Sequence, residues 1–197
     1  GGGRGGGGAA RYPARIVKWR ELTTEKSVDR QVLEVELEVR SVDWAYAPGD
    51  SIGVDCSNDA SMVDALLTRL KTDGTRRVRI APQGASAVPL HLAGPPATVR
   101  DILLRKVDLT SMPKKALVRL LGDWCSNPED SEALYRLSSI QGKRDFLRKV
   151  EEETLPLIDL LQQFPSSQPP VALLLQTLPA LSPRYYSIAS SPLHSPP

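Results

Sequence analysis

Four consecutive residues near the end of this 197-residue chain carry side chains suited to a flat, phosphate-bearing ligand. A strand with Arg184, Tyr186 and Ser187 offers a forked guanidinium for a phosphate, an aromatic plate for a ring and a hydroxyl for a ring heteroatom. A flavin dinucleotide site requires these parts. Taken alone, the sequence Arg184-Tyr185-Tyr186-Ser187 is more often an ordinary strand with two tyrosines, so its context must decide.

The sequence indicates no other kind of reactive site. His91 and His194 have no carboxylate or cysteine partner at metal-ligand spacing, so no metal site is predicted. Cys56 and Cys125 are too far apart for a CxxC motif. Neither a GxSxG elbow nor a phosphate loop is present. We therefore assign no catalytic side chain and treat all the candidate residues as cofactor-binding.

Composition excludes several classes of protein. A net charge of +2 gives no argument for a nucleic-acid partner. The longest apolar run, residues 171–175, is far short of the roughly 20 residues that cross a bilayer, so no membrane span is predicted. Two widely separated cysteines favour a reducing compartment, and we expect a cytoplasmic protein.

The first half of the chain has the patterns of β-strands. Residues 14–22 are a short, mixed candidate, whereas residues 30–40 alternate apolar and charged side chains as in a half-buried antiparallel strand. The apolar members of this strand are Leu33, Val35, Leu37 and Val39. Pro48 and Gly49 then predict a type II turn, since proline presets its first central position and glycine accepts the positive φ of the second. Another strand follows the turn.

The second half is mainly helical. Residues 58–74 already form one amphipathic candidate, with Asn58 or Asp59 as its cap and Gly74 as its terminator. From residue 95 to residue 178 the apolar side chains recur at helical spacing, beginning with a capping box at Thr98 and Asp101. The strand pattern returns at residues 184–191. We therefore predict four parts: a disordered glycine-rich linker (1–10), the first part of a β domain (11–95), an all-α insertion (96–181) and a returning strand (182–197).

Three stretches in this β-α-β order resemble the FAD-binding module of the NADPH-dependent diflavin reductases. They are YAPGDSIGV at 46–54, PKKALVRLL at 113–121, and the run from FPSSQPP to RYYSIASS at 164–191. The resemblance extends over residues 11–191. It implies an α+β fold, an antiparallel Greek-key β-barrel of the ferredoxin-reductase type, incomplete here, with a helical connecting domain inserted.

The resemblance also implies a role for each candidate residue. Arg184 would bind the FAD pyrophosphate, Tyr186 would pack on the isoalloxazine and Ser187 would approach its N5 edge, with Tyr185 in the same FAD-binding set. Arg30, which opens the long strand, would contact NADP. An arginine at a strand end that pairs with a glutamate is an equally good interpretation of Arg30.

For the whole protein, the resemblance implies hydride transfer from NADPH to FAD and single-electron transfer through FMN to an acceptor protein. FMN and NADPH domains of the same chain would be partners. Residues 22–24, 112–115 and 164–170 most resemble the branch of the family whose acceptor is the cobalamin of methionine synthase. The alternatives are a cytochrome reductase-type enzyme, a non-catalytic helical interaction module, and a truncated product without activity.

We expect these 197 residues alone to bind FAD weakly or not at all. In the family, the rest of the barrel and a glycine turn with a helix, which complete the pyrophosphate site, would follow residue 191. Titration of the purified chain with FAD checks this. A stoichiometric yellow complex of micromolar or better affinity would contradict the expectation.

Overall fold

The computed structural model describes residues 11–23, 31–40, 45–47, 49–81, 88–152 and 155–191. The strands are β1 (Ala14–Glu21), β2 (Leu33–Val39), β3 (Ser51–Val54), β4 (Arg77–Val78), β5 (Ala97–Thr98) and β6 (Arg184–Ser187). The helices are α1 (Ala60–Arg69), α2 (Val99–Arg105), α3 (Lys115–Asp123), α4 (Pro128–Ser138), α5 (Lys143–Phe146), α6 (Leu157–Gln163) and α7 (Val171–Thr177). A π-helical segment, Leu147–Glu152, continues α5.

The chain divides into two compact units. One, the strand unit, comprises Gly1–Ile52 and Ser187–Pro197, and the other, the helical unit, comprises Gly53–Tyr186. The helical unit includes α1, which packs against α2 and α6. No helix in the described ranges is both long and apolar enough to cross a membrane.

Within the strand unit, β1 and β2 form an antiparallel hairpin with one irregularity. Ile16 pairs with Leu37 and Trp19 pairs with Val35, and the register shifts at Val17 between them. Because side chains alternate along a strand, a regular β1 would place Ile16 and Trp19 on opposite faces. The bulge inserts one residue and returns both to the apolar face of β2.

The other face of the hairpin is charged. The Lys18 Nζ lies 3.1 Å from Glu36 Oε1, and Arg20 Nε pairs with a Glu34 carboxylate oxygen. These cross-strand pairs are exposed, so each adds little to stability by itself. Their effect is to keep like side chains together on one face.

The sequence prediction of the strand at residues 30–40 is confirmed at β2, and of its four apolar side chains Leu37 and Val39 are half-buried as predicted, whereas Leu33 and Val35 are exposed. Leu33 is 51% exposed and Val35 is 44% exposed, and their neighbour Trp19 is 66% exposed. Alternation determines which residues share a face, whereas burial requires a second layer over that face. Among the described residues, every buried apolar side chain lies between Val63 and Leu178, in the helical unit.

The described strands form three separate pairs, β1–β2, β3–β6 and β4–β5, and no closed barrel. Of the predicted fold class, the mixture of helices and small antiparallel sheets is confirmed. The Greek-key barrel stays a prediction, because closure requires two neighbours for each strand and every described strand has one.

Two of the helices begin at a polar side chain that caps the first turn. Thr98 Oγ1 accepts a hydrogen bond from Asp101 N at 3.0 Å, which confirms the cap half of the predicted capping box, while Asp101 Oδ2 accepts from the Thr98 hydroxyl at 2.6 Å rather than from its backbone N–H. Asn127 Oδ1 accepts from Glu129 N at 2.9 Å at the start of α4. These polar starts orient the apolar faces of the helices toward a common core.

The end of α6 depends on a contact from another helix. The Arg69 guanidinium, at the end of α1, donates to four backbone carbonyl oxygens at 2.9 to 3.1 Å. The acceptors belong to Leu161, Phe164, Pro165 and Ser167. One side chain therefore satisfies carbonyls that a helix terminus would otherwise leave unpaired.

Asp59 caps the first turn of α1 as predicted. Its Oδ1 accepts from Ser61 N at 2.8 Å and from Met62 N at 3.1 Å. The predicted terminator at Gly74 is wrong: the positive φ after the helix, +50°, belongs to Lys71, whose N donates to Thr68 O at 3.1 Å. The turn that ends α1 is closed by backbone hydrogen bonds before Gly74 is reached.

The Asp59 cap predicts an acid sensitivity of the fold. The Ser61 side-chain hydrogen bond, aided by the amides of Met62 and Ser61, holds the pKa of Asp59 below its ordinary 3.8. A carboxylate with a lowered pKa stabilises the fold above its unfolded pKa and loses that contribution as pH falls through the folded value. Asp59→Asn keeps a capping oxygen that does not titrate.

We therefore expect the free energy of unfolding of the wild-type chain to fall more steeply than that of Asp59→Asn between pH 5 and pH 2. Urea unfolding followed by circular dichroism at each pH measures the difference. Asp59→Ala is the control, and it should be destabilised already at pH 7. Identical pH profiles for the wild type and Asp59→Asn would contradict the cap's titration.

Candidate functional site

The residues predicted to bind the cofactor lie on β6, which pairs with β3. Ile188 N, just beyond β6, donates to Asp50 O at 3.0 Å, and Tyr185 lies against Gly53. Residue numbers therefore rise along one strand while they fall along the other, so the pair is antiparallel. The predicted strand is confirmed, although it ends at Ser187 rather than at residue 191.

Gly53 makes room for the ring of Tyr185. A Cβ atom added to Gly53 would lie 3.1 Å from Tyr185 Cε1 and 3.5 Å from Cζ. The ring thus packs directly on the backbone of β3 while 74% of Tyr185 stays exposed. Only glycine permits this approach without a shift of the ring, and the sequence analysis did not assign Gly53 a role.

Arg184 and Tyr186 share the other face of β6. Side chains two residues apart on a strand point to the same side, with about 7 Å between them. Tyr186 is 52% exposed, and the Arg184 guanidinium makes no ion pair or hydrogen bond with any residue that the structure describes. A free cationic fork and an accessible ring therefore stand side by side on one surface.

These side chains fit a flavin dinucleotide. The guanidinium can form paired hydrogen bonds with a diphosphate, and the tyrosine ring can pack on a flat heterocycle. Ser187, the last residue of β6, is also exposed, and strand alternation places its hydroxyl on the Tyr185 face rather than on the face of Arg184 and Tyr186. A bound ligand would give the Arg184 guanidinium the hydrogen-bond partners that it lacks among the described residues.

The turn before β3 is closed by hydrogen bonds between its own residues. Gly49 has φ of +93°, and Asp50 N donates to Ala47 O at 3.1 Å, as the predicted type II turn requires. The Asp50 carboxylate also accepts from Ala47 N at 2.8 Å. Asp50 therefore closes the turn with its side chain and binds Ile188 N with its backbone oxygen. Pro48 lies outside the described residues.

A second contact joins the same two stretches of chain. The hydroxyl of Tyr46 lies 2.8 Å from Ser190 Oγ, within hydrogen-bond distance. The two residues are 144 positions apart, so no local pattern could have paired them. Their only common feature in the sequence is that each lies within a few residues of β3 or β6.

The start of the helical unit is held by Asn58, which is 6% exposed. Its Nδ2 donates to Leu103 O at 2.6 Å and to Val107 O at 2.7 Å, and its backbone N donates to Leu104 O at 2.9 Å. Asn58 thus joins the chain that leaves β3 to residues 103–109, at the end of α2. We call residues 103–109 the junction segment.

The chain that leads into β6 is held by the same junction segment. Asp108 N donates to Pro179 O at 2.9 Å and Leu181 N donates to Lys106 O at 3.0 Å. Between them Val107 and Ala180 form an antiparallel bridge. The helical unit therefore fixes both stretches of backbone next to the strands that carry the candidate site.

Of the predicted site residues, Arg184, Tyr185, Tyr186 and Ser187 lie together on β6. Arg30, the predicted NADP contact, lies outside the described residues. The structure adds Gly53, Tyr46 and Asn58 as residues that support the strand without being chemically reactive themselves. Gly53 had a sequence clue, since glycine within a strand often marks a close approach of another group, and Asn58 is an alternative candidate in the sequence for the cap of α1.

Comparison with known proteins agrees with this chemistry. The sequence profile of the FAD binding domain family matches residues 8–197. Human methionine synthase reductase is 37% identical over 194 residues, which cover 94% of this chain and 27% of that protein. NADPH–cytochrome P450 reductase from Dictyostelium discoideum is 29% identical over 181 residues, with coverages of 92% and 27%. Nitric oxide synthase from Bombyx mori is 34% identical over 190 residues, with coverages of 91% and 16%. The chain thus spans about a quarter or less of the length of these relatives.

Because the Arg184 guanidinium has no partner among the described residues, its substitution should weaken FAD binding without lowering stability. In the intact protein that contains this chain, we expect Arg184→Ala to weaken FAD binding about 10- to 100-fold, because charged hydrogen bonds contribute roughly 1.5–3 kcal/mol. Fluorescence titration of the apoprotein with FAD measures the dissociation constant. Thermal unfolding of the apoprotein should not change, since Arg184 has no partner among the described residues.

Arg144→Ala is the matched control. Arg144 is exposed in α5, away from the junction segment, and likewise forms no ion pair or side-chain hydrogen bond with the described residues. It should bind FAD like the wild type, and Arg184→Lys should lie between the two because it keeps the charge and loses the fork. Equal losses for Arg184→Ala and Arg144→Ala would refute a direct contact by Arg184.

Proposed function

Because the chain belongs to the FAD-binding domain family, we propose that it is the FAD-binding portion of an NADPH-dependent diflavin reductase. The whole protein would pass electrons from NADPH through FAD and FMN to an acceptor protein. The observation that carries this proposal is the free Arg184 fork beside the accessible Tyr186 ring on one face of β6.

In this proposal, the side chains of β6 hold FAD and do not react. Arg184 neutralises the pyrophosphate, Tyr186 covers the isoalloxazine and Ser187 offers its hydroxyl to the N5 edge. Tyr185, which packs on Gly53, keeps β6 against β3 from the opposite face. FAD itself supplies the change from two-electron to one-electron chemistry when it is bound.

We further propose the domain organisation of that family. Residues 11–95 and 182–197 would belong to the Greek-key barrel, residues 96–181 would form the inserted helical connecting domain, and residues 1–10 would be a linker. The position of α2 to α7 between β5 and β6 supports the insertion. Arg30 would contact NADP from the start of the long strand, and FMN and NADPH domains of the same protein would be partners.

The acceptor that we propose is methionine synthase with its cobalamin. The relative named methionine synthase reductase is 37% identical to this chain, compared with 29% for the P450 reductase, over similar coverage. A cytoplasmic location is part of the proposal. Cys56 and Cys125 are both free thiols, as expected in a reducing compartment.

Two alternatives have some support. The similarity to the P450 reductase favours a cytochrome reductase-type enzyme with a haem protein as acceptor. The concentration of all the described buried apolar side chains in the helical unit favours a non-catalytic interaction module built on the helices. Only the first alternative shares the FAD site of the main proposal.

A direct competition between acceptors tests the proposed function. With the intact protein and NADPH, we expect faster one-electron reduction of cob(II)alamin methionine synthase than of a haem monooxygenase. Each NADPH delivers two electrons, so rates are compared per electron transferred. Arg184→Ala, assayed at an FAD concentration that saturates only the wild type, should lower both rates together.

The outcomes separate the alternatives. Preferential reduction of the haem protein would overturn the proposed acceptor and favour the cytochrome reductase type. Absence of NADPH oxidation with either acceptor, in a protein with bound FAD, would favour the non-catalytic module.

A further inference from the structure

The candidate site depends on two short strands that are distant in sequence. β3 ends at Val54 and β6 begins at Arg184, and nearly the whole helical unit lies between them. Each strand has four residues, so the pair cannot hold itself together by its own hydrogen bonds. Their register must come from the structures that precede and follow them.

The junction segment supplies that register from both sides. On the β3 side, only residues 55–57 separate the strand from Asn58, which is fixed to residues 103, 104 and 107. On the β6 side, only residues 182–183 separate Leu181 from Arg184. Tethers of two or three residues span at most roughly 10 Å, so a shift at the junction displaces the strands.

Among the described residues, the Asn58 side chain bridges from the β3 side to the junction segment. Both hydrogens of its amide are used, because Nδ2 donates to two carbonyls that point at it, those of Leu103 and Val107. Its Oδ1 faces Leu109 N at 3.5 Å. No other side-chain type offers two donors and an acceptor with this length and shape, apart from the longer glutamine.

We infer that Asn58 is a positioning residue for the cofactor: by fixing the chain after β3 to the segment that also fixes the chain before β6, it sets the relative position of Gly53 and Tyr185 and so the shape of the FAD-binding strand. This inference rests on the proposed function. Asn58 itself is buried and does not touch the ligand-binding face.

The test compares two kinds of buried hydrogen bond in the helical unit of the intact protein. Asn58→Asp keeps the shape of the side chain but turns two donors toward carbonyls into acceptors. Asn58→Ser is the milder variant and keeps one donor. Ser167→Ala is the control, since Ser167 is fully buried and its Oγ donates to Leu121 O at 2.8 Å, among the helices and away from the junction segment.

All three variants should be less stable to heat than the wild type, because each loses a buried hydrogen bond. Only the two Asn58 variants should also bind FAD more weakly, about tenfold for Asn58→Asp, and change the visible circular dichroism of the bound flavin. Fluorescence titration and circular dichroism are recorded at low temperature, where far-ultraviolet spectra show that each variant is folded.

Wild-type FAD affinity and an unchanged flavin spectrum in a destabilised Asn58→Ser would overturn the inference, as would an equal loss of affinity in Ser167→Ala. If Asn58→Asp does not fold, Asn58→Ser decides between the outcomes. If the wild-type protein itself does not bind FAD, the proposed function is wrong as well. If the wild type binds FAD and only the results for the Asn58 variants are contrary, the inference alone is wrong.

Discussion

The structure depends on the hydrogen bonds made at residues 103–109. This segment binds the chain that leaves β3, through Asn58, and the chain that enters β6, through residues 179–181. Closing a loop as long as the one between these strands is costly in entropy, and the cost must be met before the strands can pair. The helical unit meets it by folding around its own core, which brings the chain after β3 and the chain before β6 to the same segment.

Two arginines differ in whether their guanidinium binds protein carbonyls or is available to a ligand. Arg69 donates through Nε and Nη2 to four carbonyl oxygens inside the helical unit. Arg184 has no such partner among the described residues and is exposed on β6. A guanidinium already paired with protein would have to break those bonds to hold a phosphate, so the free arginine is the one suited to binding.

Local patterns predicted much of this fold, because the interactions behind them lie within a few residues. The caps at Thr98 and Asp59 and the turn at Gly49 follow from neighbouring side chains, and the candidate strand at residue 184 was recognised from its composition. The Tyr46–Ser190 contact and the carbonyl partners of Arg69 and Asn58 could not be predicted. Each joins residues far apart in sequence, and their geometry exists only after the helices have packed.

The hairpin of β1 and β2 shows a further limit of sequence patterns and bears on the proposed barrel. Alternation in β2 correctly separated apolar from charged residues, but β1 matches that division only through the bulge at Val17, which its composition does not indicate. In the wall of a barrel, one face of each strand is covered. A bulge that keeps apolar side chains on one face and charged side chains on the other is therefore useful there. In the proposed barrel, further strands would cover the apolar face of the hairpin, on which Trp19 and Leu33 are exposed among the described residues. The need for those further strands is also why we expect strong FAD binding only in the intact protein.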